Sequence, residues 1–195
     1  MARPREFDPE EILTRVAGVF RANGFEKTSF RHLERATGLK KGSLFAAYGN
    51  KHALFTSALS HYHEQRCREL AELCEEKSAA IALKHWLESS IEQDSRASCE
   101  RGCLTLNSLV ETAPHDRHCA RLVGEQLQRV EQILEKLVRR AIKEGSFRKS
   151  LDAQCTAKYL VCLVSGLQAL TRIPHTCALA KKQKDFVSFI LNTLR

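Results

Sequence analysis

Proline and glycine are scarce in this sequence: 4 Pro and 9 Gly among 195 residues. So few chain breakers leave room for long uninterrupted helices. Strand-period alternation of apolar and polar side chains is missing, which argues against sheet. Apolar residues recur instead at spacings of three and four almost throughout, so an all-α fold is expected. No apolar run approaches the ~20 residues that a membrane-crossing helix needs. The opening Met1-Ala2-Arg3-Pro4-Arg5 leads into charged sequence, unlike a secretion signal. A soluble, cytoplasmic protein without membrane partners is expected. Internal repeats and low-complexity linkers are also lacking. With 43% apolar residues, the chain can bury one or two cores unaided.

What is present is most informative between residues 28 and 55. Thr28 and Ser29 are suited to cap a helix start. Leu33 and Ala36 give that helix an inward stripe, and Gly38 stands where it must stop and turn. Leu44 and Tyr48, four apart, anchor a second short helix. Lys41, Ser43, Phe45, Ala46 and Ala47 are then left facing outward on a small-surfaced segment of a width that fits the DNA major groove. Ahead of this pair, Asp8, Pro9 and Glu11 form an N-cap, an N1 proline and a capping-box carboxylate. Ile12, Leu13, Val16, Ala17 and Phe20 follow at helical spacing until Gly24. Asn50 caps a fourth helix expected from Lys51 to about Glu76.

Charge is concentrated in the same place. The chain carries a net +8, and between residues 27 and 51 six bases (Lys27, Arg31, Arg35, Lys40, Lys41, Lys51) face Glu34 alone. A basic patch on a small helical module is the electrostatic footprint of phosphate binding. Basic residues also solvate exposed helix faces, so charge gains its weight from the turn and helix spacing beside it.

This block resembles the DNA-binding domain of TetR-type transcriptional regulators. The matching residues are Phe20, Gly24, Phe25, Thr28, Ser29, Leu33, Ala36, Gly38, Lys41, Gly42, Ser43, Leu44, Phe45, Tyr48, Lys51, Ala53 and Leu54. Position 45, often Tyr in the family, is Phe45 here and lacks a hydroxyl for a phosphate. The resemblance implies a helix-turn-helix domain over 1–50 and an effector-binding and dimerisation domain over 51–195, about nine helices in all. It also implies a regulator, a repressor in this reading, bound to a palindromic double-stranded operator as a homodimer and released by a small effector that tilts helix four. Arg31, Lys41 and Ser43 are expected at base edges. Thr28, Ser29, Lys40, Phe45 and Lys51 are expected on the backbone, with Gly42, Ala46 and Ala47 completing the inserted face. Arg3 and Arg5 flank Pro4 in an N-terminal arm suited to the adjacent minor groove, or to no role as a tail.

Beyond residue 78, helices are expected at about 79–95, 101–112, 115–144, 152–172 and 180–194, with a loop at Gly145-Ser146 and a cap at Asp152. The resemblance implies dimer contacts through the last two. It also places an effector pocket among the middle helices, for which Trp86, Cys103, Leu106, Asn107, Val110, Glu111, Leu163 and Gln168 are the candidates. Glu111, a charge inside an apolar helix, reads as a ligand anchor or as the partner of an interhelical Arg.

The 8 cysteines do not imply a disulfide framework in a cytosolic chain. Cys155 and Cys162, seven apart on one apolar stripe, are expected to be buried. Cys99 and Cys103 flank Arg101 in an Arg-Gly-Cys-Leu helix start, and part of the resembling family senses oxidants or electrophiles there, which makes both candidates for a redox role. His115 and Cys119, four apart, suggest a metal site only weakly, because no second ligand pair accompanies them, and no metal or cofactor is expected. A different class, an enzyme using Cys103 with His115 or His118 as base, lacks an oxyanion loop or cofactor fingerprint, so no catalytic residue is assigned.

Overall fold

A computed structural model of the chain describes residues 8–91, 102–170 and 183–195. Nine helices occupy them: α1 Pro9–Asn23, α2 Phe30–Thr37, α3 Lys41–Tyr48, α4 Lys51–Leu73, α5 Ala79–Ile91, α6 Leu104–Glu111, α7 Arg117–Lys143, α8 Ala153–Leu170 and α9 Gln183–Leu194. There is no strand among the described residues. Arg3, Arg5 and Cys99 lie outside them, as do the expected far ends of the helices over 79–95 and 152–172.

The helix starts follow local cap chemistry. Asp8 accepts the Glu10 N–H with Pro9 in the first turn, Asn50 accepts the Ala53 N–H at 2.8 Å, and Asp152 accepts the Cys155 N–H at 2.7 Å. Glu11 departs from expectation: it pairs with Arg15 at 2.6 Å, one turn on, instead of closing a capping box. Gly24 and Gly38 end α1 and α2 with φ of 79° and 75°, a region that favours glycine.

The described helices form two compact packing units, one of residues 8–65 with 103–123 and one of 66–91, 102, 124–170 and 183–195. In this packing division the start of α4, all of α6 and the start of α7 pack with the first three helices. The first unit is built around an aromatic knot. Phe20 and Phe55 meet edge to face at 5.0 Å, and Phe25 lies 4.9 Å from Phe55. Ile12, Val16, Leu33, Leu44 and Leu59 complete its buried interior.

The second unit has a larger aliphatic core drawn from α4, α5, α7, α8 and α9, with Leu83, Leu87, Leu134, Leu137, Val138, Leu160 and Ile190 among its buried members. Here α5 packs on both α8 and α9. One polar clamp organises the turn after α4. Arg140 donates to the carbonyls of Cys74, Glu76 and Lys77 at 2.8, 2.7 and 3.0 Å and pairs with Glu144 at 2.7 Å. Glu144 in turn accepts the Ala79 N–H at 2.9 Å at the start of α5, and that bond is the main cause holding its carboxyl below the usual range.

Candidate nucleic-acid interface

The segment from Ser29 to Tyr48 is a helix, a turn and a second helix, each end closed by a specific group. Ser29 and His32 form a reciprocal cap on α2, the Ser29 hydroxyl accepting the His32 N–H and the His32 ring accepting the Ser29 N–H, both at 3.3 Å. Lys40 occupies the N-cap position of α3 but makes no side-chain cap bond. Glu34 does that work from one helix earlier, its Oε1 accepting the Lys41 N–H at 2.8 Å. The lone acid in the basic cluster is therefore the device that joins α2 to the start of α3.

Leu44 is 1% exposed and pins α3 to the unit's core. Lys41, Gly42, Ser43 and Ala46 are exposed, as the sequence implies for an outward face. Phe45 and Ala47 are half-buried instead. Phe45 stacks on Phe30 at 4.8 Å, and the Lys41 ammonium sits 4.9 Å from the Phe30 ring and 5.3 Å from that of Phe45. Phe45 thus acts as a platform for Lys41. Arg31, Arg35, Lys40 and Lys27, close to α3 in sequence, are exposed as well.

One expected backbone contact requires correction, and a second also has a partner within the fold. Thr28 is 2% exposed and donates its hydroxyl to the Gly24 carbonyl at 2.6 Å, so it ties the α1–α2 loop shut and offers nothing to a phosphate. Lys51 is half-buried, its ammonium donating to the Glu26 carbonyl at 3.2 Å and resting 4.7 Å from the Phe25 ring. Next to it, His52 pairs with Asp116, whose other oxygen accepts the N–H groups of His118 and Cys119 at the start of α7. The His52 bond is the largest cause lowering the Asp116 carboxyl from its ordinary range.

The residues expected around an effector divide between the two units. Trp86 is 7% exposed within the second unit's core, against which Leu163 packs, and Gln168 donates to the Ser90 carbonyl at 2.9 Å. Cys103, Leu106, Asn107, Val110 and Glu111 belong to α6 and the first unit. Val110 is 72% exposed. Asn107 donates to the Arg21 carbonyl at 3.0 Å, and Glu111 accepts the N–H groups of Phe25 and Glu26 at 3.0 and 2.9 Å. Glu111 thus holds the α1–α2 loop, and among the described residues it makes no ion pair with an Arg. Sequence reading missed it because a bond between positions 86 apart leaves no local pattern.

The cysteines differ from expectation as well. Cys155 and Cys162 are exposed on α8. Cys119 is buried, and burial, with Asp116 nearby, pushes its thiol up to about 11. His115 is exposed in the turn before α7. Among the described residues, no three His, Cys, Asp or Glu side chains come together to hold a metal. Cys103 occupies the N-cap position of α6 without a side-chain cap bond, and its sulfur accepts the Tyr62 hydroxyl at 3.7 Å.

Comparison with known proteins meets this geometry. The family model described as "Bacterial regulatory proteins, tetR family" matches residues 12–58, and "Tetracyclin repressor-like, C-terminal domain" matches 79–183. The HTH-type transcriptional repressor ComR of Escherichia coli is 27% identical over 172 residues, spanning 87% of this chain and 82% of ComR. The HTH-type transcriptional regulator YezE of Bacillus subtilis is 29% identical across 100% of both chains. A solved structure of the TetR-family regulator CifR, a cysteine mutant complexed with 26-base-pair operator DNA, superposes with a TM-score of 0.80 at 25% identity, covering 100% of each chain. With its helix-turn-helix on the first unit and a family match over more than half its length, the chain belongs to the TetR family of transcriptional regulators, which are not enzymes.

Proposed function

We propose that this regulator is a repressor that binds a palindromic operator as a homodimer, reads it with α3, and lets go when a small effector binds beyond residue 51. One observation carries the reading: α3 buries Leu44 and presents Lys41, Gly42, Ser43 and Ala46 outward, and the neighbouring bases Lys27, Arg31, Arg35 and Lys40 are exposed too. An α-helix so presented has the width and charge that a major groove accepts. The repressor title of ComR and the operator complex of CifR support the same assignment. In this reading Arg31, Lys41 and Ser43 address base edges, while Ser29 and Lys40 hold phosphates.

Pairing through α8 and α9 is supported by what those helices leave uncovered. Tyr159 and Leu170 on α8 are 47% and 45% exposed, Phe189 on α9 is 62% exposed, and Cys155 and Cys162 share the outward side of α8. Large apolar groups left in water are what a self-complementary interface would cover. Residues 1–50 serve reading and 51–195 serve pairing and effector binding, a functional division that differs from the packing division at 65/66. Of the effector candidates, Trp86, Leu163 and Gln168 keep that assignment.

Selection of duplexes from a random library by the purified protein tests the reading. The expected product is one palindromic sequence bound by a dimer with strong salt dependence. Arg31→Ala should then relax preference at one position per half-site, a loss of about 1–3 kcal/mol of discrimination. Recovery of no sequence at low salt would remove the proposal.

A further inference from the structure

The loop between α1 and α2 is held by a side chain that arrives from far along the chain. Glu111, the last residue of α6, places one carboxylate oxygen 3.0 Å from the Phe25 nitrogen and the other 2.9 Å from that of Glu26. Consecutive N–H groups aimed at one anion are charge-assisted donors, roughly twice as strong as neutral pairs. Gly24 makes room for this. Its φ is 79°, and a Cβ there would lie 2.5 Å from one Glu111 oxygen and 2.9 Å from the other. One turn earlier on α6, Asn107 donates to the Arg21 carbonyl at 3.0 Å, in the last turn of α1.

The loop in question launches the reading helices. Thr28 closes it onto Gly24, Lys51 donates to the Glu26 carbonyl, and Ser29 caps α2 directly after it. The entry direction of α2 is therefore set between residues 24 and 29. That of α3 follows through Glu34 and the Lys41 N–H.

We propose that Glu111 is a positioning residue for DNA reading, fixing the α1–α2 loop and with it the aim of α3 while touching no DNA. This rests on the operator-binding reading above. A distinction of sign makes it testable. Glu111 is an anion beside a cationic surface, so charge alone predicts that removing it tightens DNA binding. A positioning role predicts the opposite.

The test uses the full-length chain and a duplex selected by the wild type from a random library. Glu111→Ala should weaken binding to that duplex by about tenfold, the loss expected when charge-assisted bonds holding a loop are removed. The slope of log affinity against log salt should stay unchanged, since no phosphate contact is lost, whereas Lys40→Ala, at a residue placed on a phosphate, should lower it by about one. Hydrogen exchange should accelerate at the Phe25 and Glu26 amides while the second unit's core amides keep their protection. Gly24→Ala, which displaces the same carboxylate and also strains the backbone at φ 79°, should weaken binding in both backgrounds, but by less where Glu111 is already Ala. Should Glu111→Ala not fold, Glu111→Gln decides: it keeps the packing and one acceptor oxygen, and an intermediate affinity is expected.

Equal or tighter binding by Glu111→Ala, or wild-type affinity together with wild-type amide exchange in Glu111→Gln, overturns the inference while leaving the regulator reading intact. A wild type that selects no duplex overturns both.

Discussion

The two packing units are held together by different kinds of bond. In the first, a small aromatic core is surrounded by directional ties: Glu111 to the α1–α2 loop, Glu34 to the start of α3, Thr28 to Gly24, Asp116 to His52. The second rests on a broad aliphatic core, with the Arg140–Glu144 clamp as its main polar fixture. Volume specifies the second unit and direction specifies the first. A hydrophobic core tolerates shifts of side chains at constant volume, but a hydrogen bond to a named backbone group does not. An element that must present α3 at a defined angle is better served by the second kind of bond.

The largest effect expected from that contrast comes from the core. Leu83 is fully buried in the second unit. Leu83→Ala should cost about 2–5 kcal/mol of stability in urea unfolding, as a cavity opens in a packed interior. At temperatures where the variant stays folded, its preference among duplexes should match the wild type. Altered preference would break the contrast.

Acid should act next, through the first unit. Burial lowers His63 from 6.5 to about 4, and its Nε2 has no hydrogen-bond partner among the described residues. A histidine kept neutral when folded but free to charge when unfolded makes stability fall as pH drops from 6.5 towards 4. The loss is complete once the folded-state value is passed. A decline of roughly 3 kcal/mol at most is expected over that window. Asp116 adds a further loss only below its ordinary carboxylate range, because its folded value is lowered and its contribution is present above that range. Unfolding free energies measured between pH 7 and pH 4 should show the slope in the wild type. The slope should be largely absent in His63→Leu; an equal slope there would assign the acid sensitivity elsewhere.

The smallest effect sharpens the contrast most. Thr28→Val keeps the volume and removes the hydroxyl bond to the Gly24 carbonyl, at a cost of about 1 kcal/mol. Its consequence for duplex affinity should exceed that of Leu83→Ala measured on folded protein. Fluorescence anisotropy with a labelled selected duplex reads both.

How much was legible in the sequence follows the same line. Caps at Asp8, Ser29, Asn50 and Asp152 and the stop at Gly38 could be read because each acts within four residues of itself. The outward face of α3 was legible because Leu44 is its one fully buried side chain. Glu34, Glu111 and Arg140 could not be given their partners, since their acceptors and donors are distant or belong to another helix. Cys155 and Cys162 show a second limit. Apolar residues at helical spacing identify a face that avoids water, but not whether the chain itself covers it, and here both are exposed. Thr28 shows a third: a hydroxyl at a helix boundary serves equally as a cap, a phosphate donor or an internal latch, and only its depth in the fold decides.

Lys41 lies across the stacked rings of Phe30 and Phe45 before any partner arrives. A lysine free in water surrenders up to ~2 kcal/mol of rotational freedom when it is immobilised at an interface. This one has given up part of that freedom during folding, so less remains to be lost at the moment of encounter. The pair of rings thus converts an otherwise wandering ammonium into a preset prong.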